Sequence, residues 1–176
     1  MNIARLVIGG IIMSAIAAGI ALYYLQVYAY YEEVTLQVED VQMTSLFTGE
    51  PEPILFENFN AIDSDSSPLR FRACFDTSLS FGFLTETYEI YDAAEPLNAP
   101  GWFDCFQAGE LGDDLSSGVA VAFMGIENIQ YGIDRVIAVY PDGRAFAWHQ
   151  INECGEVVFD GNRAPEHCPP APERLQ

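Results

Sequence analysis

Few side chains in this sequence could carry catalysis or hold a metal, and their spacing argues against both. The histidines are His149 and His167, and the cysteines are Cys74, Cys105, Cys154 and Cys168. A serine or cysteine nucleophile needs a base within hydrogen-bond reach, and neither histidine accompanies a G-x-S-x-G elbow or a comparable surrounding. His149 follows Trp148 in a segment that reads as a strand, where a hydrogen-bonded structural histidine is the commoner outcome. Zinc held by His149, Cys154, His167 and Cys168 is the rival reading. It fails on spacing, because no C-x-x-C pair exists and the adjacent His167 and Cys168 do not suit tetrahedral ligation.

Carboxylates are too abundant to be informative: Glu32/Glu33, Glu39/Asp40 and Asp113/Asp114 are pairs with nothing to single them out. The segments DSDSS (63–67) and DGN (160–162) resemble pieces of a calcium loop, yet the complete D-x-[DN]-x-[DN]-G loop with its distal Glu is missing. So are a C-x-x-C-H haem attachment, a phosphate-cradling glycine motif and any kinase machinery. The expectation is therefore a non-enzyme, with no catalytic, cofactor-binding or metal-ligating residues.

Charge narrows the partners. All 7 basic residues are arginines, Asp and Glu number 26, and the net charge is −19. Phosphate backbones require clustered Lys and Arg, which excludes nucleic acid. An anionic membrane surface would likewise repel the acidic part of the chain. The acid either solubilises the domain or forms a landing surface for a basic partner. Every acidic residue lies at or after Glu32, so the two parts of the chain face different surroundings.

The first part reads as an anchor. Leu6 to Leu25 carries no charge, and about 20 residues rising about 1.5 Å each reach about 30 Å, the thickness of a hydrocarbon core. A cleaved signal peptide competes, with Ala17 and Gly19 as a weak cleavage site, but the apolar run is too long and no polar region precedes the cut. Tyr23, Tyr24, Tyr28, Tyr30 and Tyr31 then crowd the exit, where an apolar ring with a polar tip suits the headgroup zone. Tyr24, Tyr28 and Tyr31 are spaced i, i+4, i+7, which predicts a helix continuing past the bilayer with one aromatic face, for lipid or for a neighbour. Arg5 on one side and Glu32 and Glu33 on the other orient the N-terminus to the cytoplasm and the domain to the periplasm, across the inner membrane. Gly10, Ser14 and Ala18, at steps of four, and the second small pair Ala15 and Gly19 would let another helix approach closely. The expected helix-packing residues are Gly10, Ser14, Ala18, Tyr24 and Tyr28.

The second part reads as one disulfide-braced domain. Four cysteines in an oxidising compartment favour two bridges, for which three connectivities exist. Cys74–Cys105 with Cys154–Cys168 is preferred, because the first pair shares a following Phe and the second closes a short loop that pins the Pro-rich tail. Strands are expected at 34–38, 69–75, 80–91, 119–125 and 156–159, and a polar loop at 48–68. Residues 104–118 read as a helix ending at Gly118, and RVIAVY and RAFAWHQI flank PDG (141–143) as a hairpin. The sum is an α+β chain: a transmembrane helix, then a mainly antiparallel sheet with one or two short helices. The divisions are 1–33 for the anchor and exit, 34–168 for the domain and 169–176 for the tail.

The runs PGWFDCF (100–106), IQYGIDRVIAVYPDGRAFAWHQIN (129–152) and CGEVVFDG (154–161), with YYLQVYAYYEEV after the anchor, resemble an uncharacterised alphaproteobacterial family of short single-pass, membrane-anchored envelope proteins. That resemblance implies a tethered domain of unknown function and no catalytic residues. The residues themselves lead to an accessory subunit of an integral membrane complex of the respiratory or photosynthetic electron-transfer kind. Its acidic periplasmic face would meet a basic soluble electron carrier such as a c-type cytochrome. The alternative is an independent tethered binding, sensing or assembly-factor domain, which a deep apolar pocket near Trp102 and Trp148 would favour.

Overall fold

The computed structural model describes residues 3–35 and 41–173. Helix α1 (Ile3–Tyr24) runs into a π-helical turn (Leu25–Ala29), and together they form a helix of 27 residues long and apolar enough to cross a membrane. None of its residues is buried against the rest of the chain. Such a surface needs a medium other than water, since it is apolar all round. The one hydroxyl on the small-residue stripe is satisfied locally, Ser14 Oγ donating to Ile11 O at 2.9 Å.

The domain is built on a six-stranded antiparallel sheet in the order β1-β4-β5-β8-β7-β6. Its strands are β1 (Glu32–Glu33), β4 (Glu57–Asp63), β5 (Arg72–Asp76), β6 (Val121–Gln130), β7 (Ile133–Val139) and β8 (Arg144–Ile151). A separate hairpin of β2 (Gln42–Thr44) and β3 (Pro51–Pro53) packs beside it. Three short helices complete the domain: α2 (Phe81–Thr87), α3 (Ala108–Ser117) and α4 (Glu153–Phe159).

Both faces of the sheet are covered, which is why its strands read as near-continuous apolar runs. Side chains alternate across the pleat. Phe71, Ala73, Phe75, Ala145, Ala147, Ile137 and Val139 point to one face, under the β2–β3 hairpin and Leu84 of α2. Cys74, Trp148, Val136 and Ala138 point to the other, under Phe103, Phe106 and Leu111 of the 91–118 segment. Cys74–Cys105 ties that covering segment to β5 across 31 residues, and Cys154–Cys168 closes a 14-residue loop. Loop-closure entropy makes these worth about 4 and about 3 kcal/mol. The expected β7–β8 hairpin is present, with Gly143 at φ 95° in the turn, as is the helix ending at Gly118.

Three segments differ from expectation. The loop expected at 48–68 contains β3 and β4, whose burial follows no alternation because β3 is an edge of two prolines and β4 carries a bulge between Glu57 and Asn60. Residues 80–91 open as helix α2 because Ser80 Oγ accepts from Phe83 N at 3.3 Å, a cap that outweighs the aromatic composition. Only the end of that segment is extended, through isolated bridges at Tyr88 and Ile90. Residues 156–159 belong to α4, started by Asn152 Oδ1 accepting from Gly155 N at 2.9 Å. The strand expected at 34–38 falls mostly outside the described residues; pairing occurs just before it, at Glu32↔Asp63 and Glu33↔Ile62.

Candidate functional site

The helix exit does not dangle from the domain. It ends in a π turn, and the last carbonyls of any helix lack an intrahelical donor. Trp102 Nε1 donates to one of them, Val27 O, at 2.6 Å. The indole also stacks on Tyr28 (centroids 6.1 Å, 17° between planes) and meets Tyr31 edge-on at 5.9 Å, while Tyr28 stacks on Tyr24 at 6.0 Å. Arg70 lies over the next two rings, its Cζ 5.8 Å from the Tyr30 centroid and 5.4 Å from that of Tyr31. The tyrosine face thus forms, although the helix stops before Tyr31, and Trp102 occupies it from the domain side. Gly10, Ser14 and Ala18 remain exposed on α1, away from this seat. The role of Arg70 carried no signal in the sequence, because only the fold brings it beside Tyr30 and Tyr31.

A second constellation has the composition of an active site. Asp134, buried at the start of β7, accepts from Tyr91 Oη (3.1 Å), Asn128 N (2.8 Å) and Asn152 Nδ2 (2.7 Å). Gln150 accepts from Trp148 Nε1 and Glu95 N and donates to Ala93 O. The Tyr91 phenol is pushed up by burial and by Asp134, so it stays protonated. Every member has a partner within the chain. The network fixes the β6–β7 turn, the start of α4 and the 91–95 segment to one another, which is the work of a bolt. Gly132 and Gly155 meet within it so closely that a Cβ on Gly155 would run into Gly132 O.

His149 is equally inward-facing. Its Nδ1–H donates to Pro68 O at 2.7 Å, its Nε2 accepts from Arg135 Nε at 3.0 Å, and the ring stacks on Phe71 at 4.7 Å. Burial first, and then the Arg135 charge, push its pKa down to about 3. Neutral, it has both ring nitrogens hydrogen-bonded within the chain. Arg72 is its counterpart near the other face: buried, lowered to about 10 by desolvation, and donating to the carbonyls of Leu97, Asn98, Leu69 and Phe71. The turn-rich 94–103 connection is thereby held against the sheet.

Of the four zinc candidates, His149 is turned to Pro68 O and Arg135 instead. Cys154, His167 and Cys168 do converge, with ligand atoms within 4.8 Å of one another. Both sulfurs are joined in a disulfide, however, and zinc requires thiolate. His167 faces Glu153 at 3.7 Å on the exposed surface instead. At DSDSS the polar groups bond among themselves, Asp63 Oδ1 accepting from Ser64 N and the Ser64 and Ser66 hydroxyls lying 2.8 Å apart. Trp148 is fully buried and Trp102 is packed into the helix seat. A cavity of about 370 Å³ between Tyr91, Gln150, Asn152, Glu153 and Glu156 has the saturated bolt as its floor.

Residues 41–169 match the model of a family of unknown function, DUF6446. No curated protein and no solved structure matches the chain. The motifs behind the resemblance, YGIDR and AWHQIN, supply Asp134, Arg135, Trp148, His149, Gln150 and Asn152. They are the bolt and its surroundings.

Proposed function

The chain belongs to the DUF6446 family of unknown function, and we propose that it is a non-catalytic accessory subunit of a larger membrane complex, its acidic domain held on the periplasmic face. The observation that carries this reading is the Trp102–Val27–Tyr28 seat. A freely tethered binding or sensing domain gains nothing from a fixed angle to its anchor. A subunit that must present one face at one height does.

Two further features support a protein neighbour. Leu46 N donates to Thr87 O, setting the tip of the β2–β3 hairpin against the end of α2, and Leu46, Phe47 and Phe83 are left exposed there, Phe47 by 82%. On α1, the Gly10, Ser14 and Ala18 stripe leaves room for a second helix. The charge balance is also strongly acidic, 26 Asp and Glu against 7 arginines, and of the arginines Arg144 pairs with Asp142 at 2.8 Å while Arg72 is engaged by backbone carbonyls. A field of that sign speeds encounter with a basic soluble carrier, and salt screens it over about 8–10 Å.

The test is isolation of the tagged full-length protein from native membranes in mild detergent, with mass spectrometry of what accompanies it. Stoichiometric cytochrome- or pigment-bearing subunits are expected. Recovery of the protein alone, under conditions that keep known complexes whole, would leave the independent tethered domain as the better reading. The carrier part fails separately if association with a basic cytochrome does not weaken as ionic strength rises.

A further inference from the structure

Leu46 and Phe47, at the tip of the β2–β3 hairpin, share a corner of the domain with Phe83 of α2, and all three are exposed. The two elements are joined there. Leu46 N donates to Thr87 O at 2.8 Å, Ser45 bridges to Tyr88, and the Phe83 ring meets Tyr88 edge-on at 6.2 Å. The tip is also braced from within: Gly49 N donates to Ser45 O, Phe47 N donates to Ser45 Oγ, and Thr48 Oγ1 accepts from Glu50 N while donating to Glu52 Oε1. Phe47 is therefore displayed in water on fixed backbone. An ordered aromatic ring loses little conformational freedom on being covered, and such rings are the usual anchors of interfaces.

The rim of this patch has one sign. Residues 41–69 and 73–134 contain no Arg or Lys, so the hairpin and α2 carry only acid, with Glu50 and Glu52 on the hairpin and Glu86 and Glu89 at the end of α2. The Tyr88 phenol is pushed up by burial and then by the Glu52 charge, which sets that carboxylate beside the patch. The rim selects among occupants. A second copy of the chain, docked on the same patch, would bring identical carboxylates together across a two-fold axis. An anionic bilayer surface would repel them. Three exposed side chains also fall far short of the roughly 2,000 Å² and more that permanent subunit interfaces bury, and suit a transient encounter.

We propose that the hairpin tip and α2 form the docking site for a soluble basic protein that presents an apolar patch ringed by Lys or Arg. Phe47 fills the centre of the contact, and Glu50, Glu52 and Glu86 face the basic ring. Charge steers the encounter, and the small apolar centre holds it briefly. The inference rests on the basic-carrier reading above and gives it one place on the domain.

The test titrates a basic c-type cytochrome onto full-length protein in phosphatidylcholine nanodiscs at low and at high salt, with an unfolding curve for each variant. Wild type is compared with Phe47→Ser, with the pair Glu50→Gln and Glu86→Gln, and with the charge-matched pair Glu110→Gln and Asp113→Asn on α3, which covers the opposite face of the sheet. Phe47→Ser is expected to weaken binding about tenfold at either salt with stability unchanged, since its ring already lies in water. The rim pair is expected to slow association about fivefold at low salt and to flatten the salt dependence, whereas the α3 pair changes it less than about twofold. Equal losses from the two acidic pairs, or binding by Phe47→Ser that matches wild type, overturn the site and leave the carrier reading standing. Absence of wild-type binding overturns both. A spin label on Phe47→Cys that is sheltered from aqueous reagents before cytochrome is added assigns the tip to the bilayer and overturns the site.

Discussion

The helix seat and the Asp134 bolt are made from the same kinds of residue, aromatics with a few polar groups, and they are left in opposite states. In the bolt each oxygen and nitrogen is answered from within: Asp134 accepts three bonds and Asn152 links it to Asn128 and to the start of α4. At the seat the bonds run between the N-terminal helix and the domain, and one guanidinium nitrogen, Arg70 Nη1, closed to solvent, has no hydrogen-bond partner among the described residues. Saturation marks a polar cluster as architecture, whereas the seat joins two parts of the chain through a few contacts between them. A count of catalytic-looking side chains would rank the two the wrong way round.

Substitutions should separate the two regions, beginning with the strongest. Gly155→Ala forces a Cβ into Gly132 O and the Ile151 side chain, and should cost roughly 4 kcal/mol or abolish cooperative unfolding, read by thermal denaturation of the full-length protein. Asp134→Ala strands the Tyr91 hydroxyl, the Asn128 amide and the Asn152 carboxamide, a loss of about 3 kcal/mol, with the anchor's membrane insertion unaffected. A bolt variant that left stability unchanged while abolishing an activity would reverse the comparison.

Protonation sharpens it further. His149 is held neutral in the fold, at about 3, and titrates near 6.5 when unfolded, so the unfolded chain binds the extra proton between those values. Stability should therefore fall as pH drops from about 6.5 towards 3, by about 2 kcal/mol between pH 7 and 5. His149→Gln should flatten that slope, measured by chemical unfolding at several pH values. The smallest effect belongs to the seat. Trp102→Phe keeps the ring on Tyr28 but loses the bond to Val27 O, and should cost the domain no more than about 1 kcal/mol while loosening its angle to the helix.

The N-terminal apolar helix, the β7–β8 hairpin, α3 and the α+β class are legible because each rests on local signals: an uncharged apolar run, a turn glycine, a helix stop. The cysteine pairing was legible too, since short loops and similar surroundings limited the choices. Segments α2 and α4 were misread because Phe, Thr and Val favour strands, while a single capping side chain, Ser80 or Asn152, decides the local conformation. Strand β4 was hidden by exposed polar residues on its outer half. The contacts of Trp102 and Arg70 leave no signal in the sequence, because each depends on partners about 40 to 75 residues away. Residues whose work is tertiary leave no spacing to read.

The fixed mounting of the domain on its helix is tested most directly by distances between spin labels, one on the exposed face of α3 and one near the N-terminal end of α1, in nanodiscs. The seat formed by Trp102, Tyr28 and Val27 predicts a single narrow distribution that broadens in Trp102→Ala. A broad distribution already present in the wild type would contradict it and return the domain to the end of a loose tether.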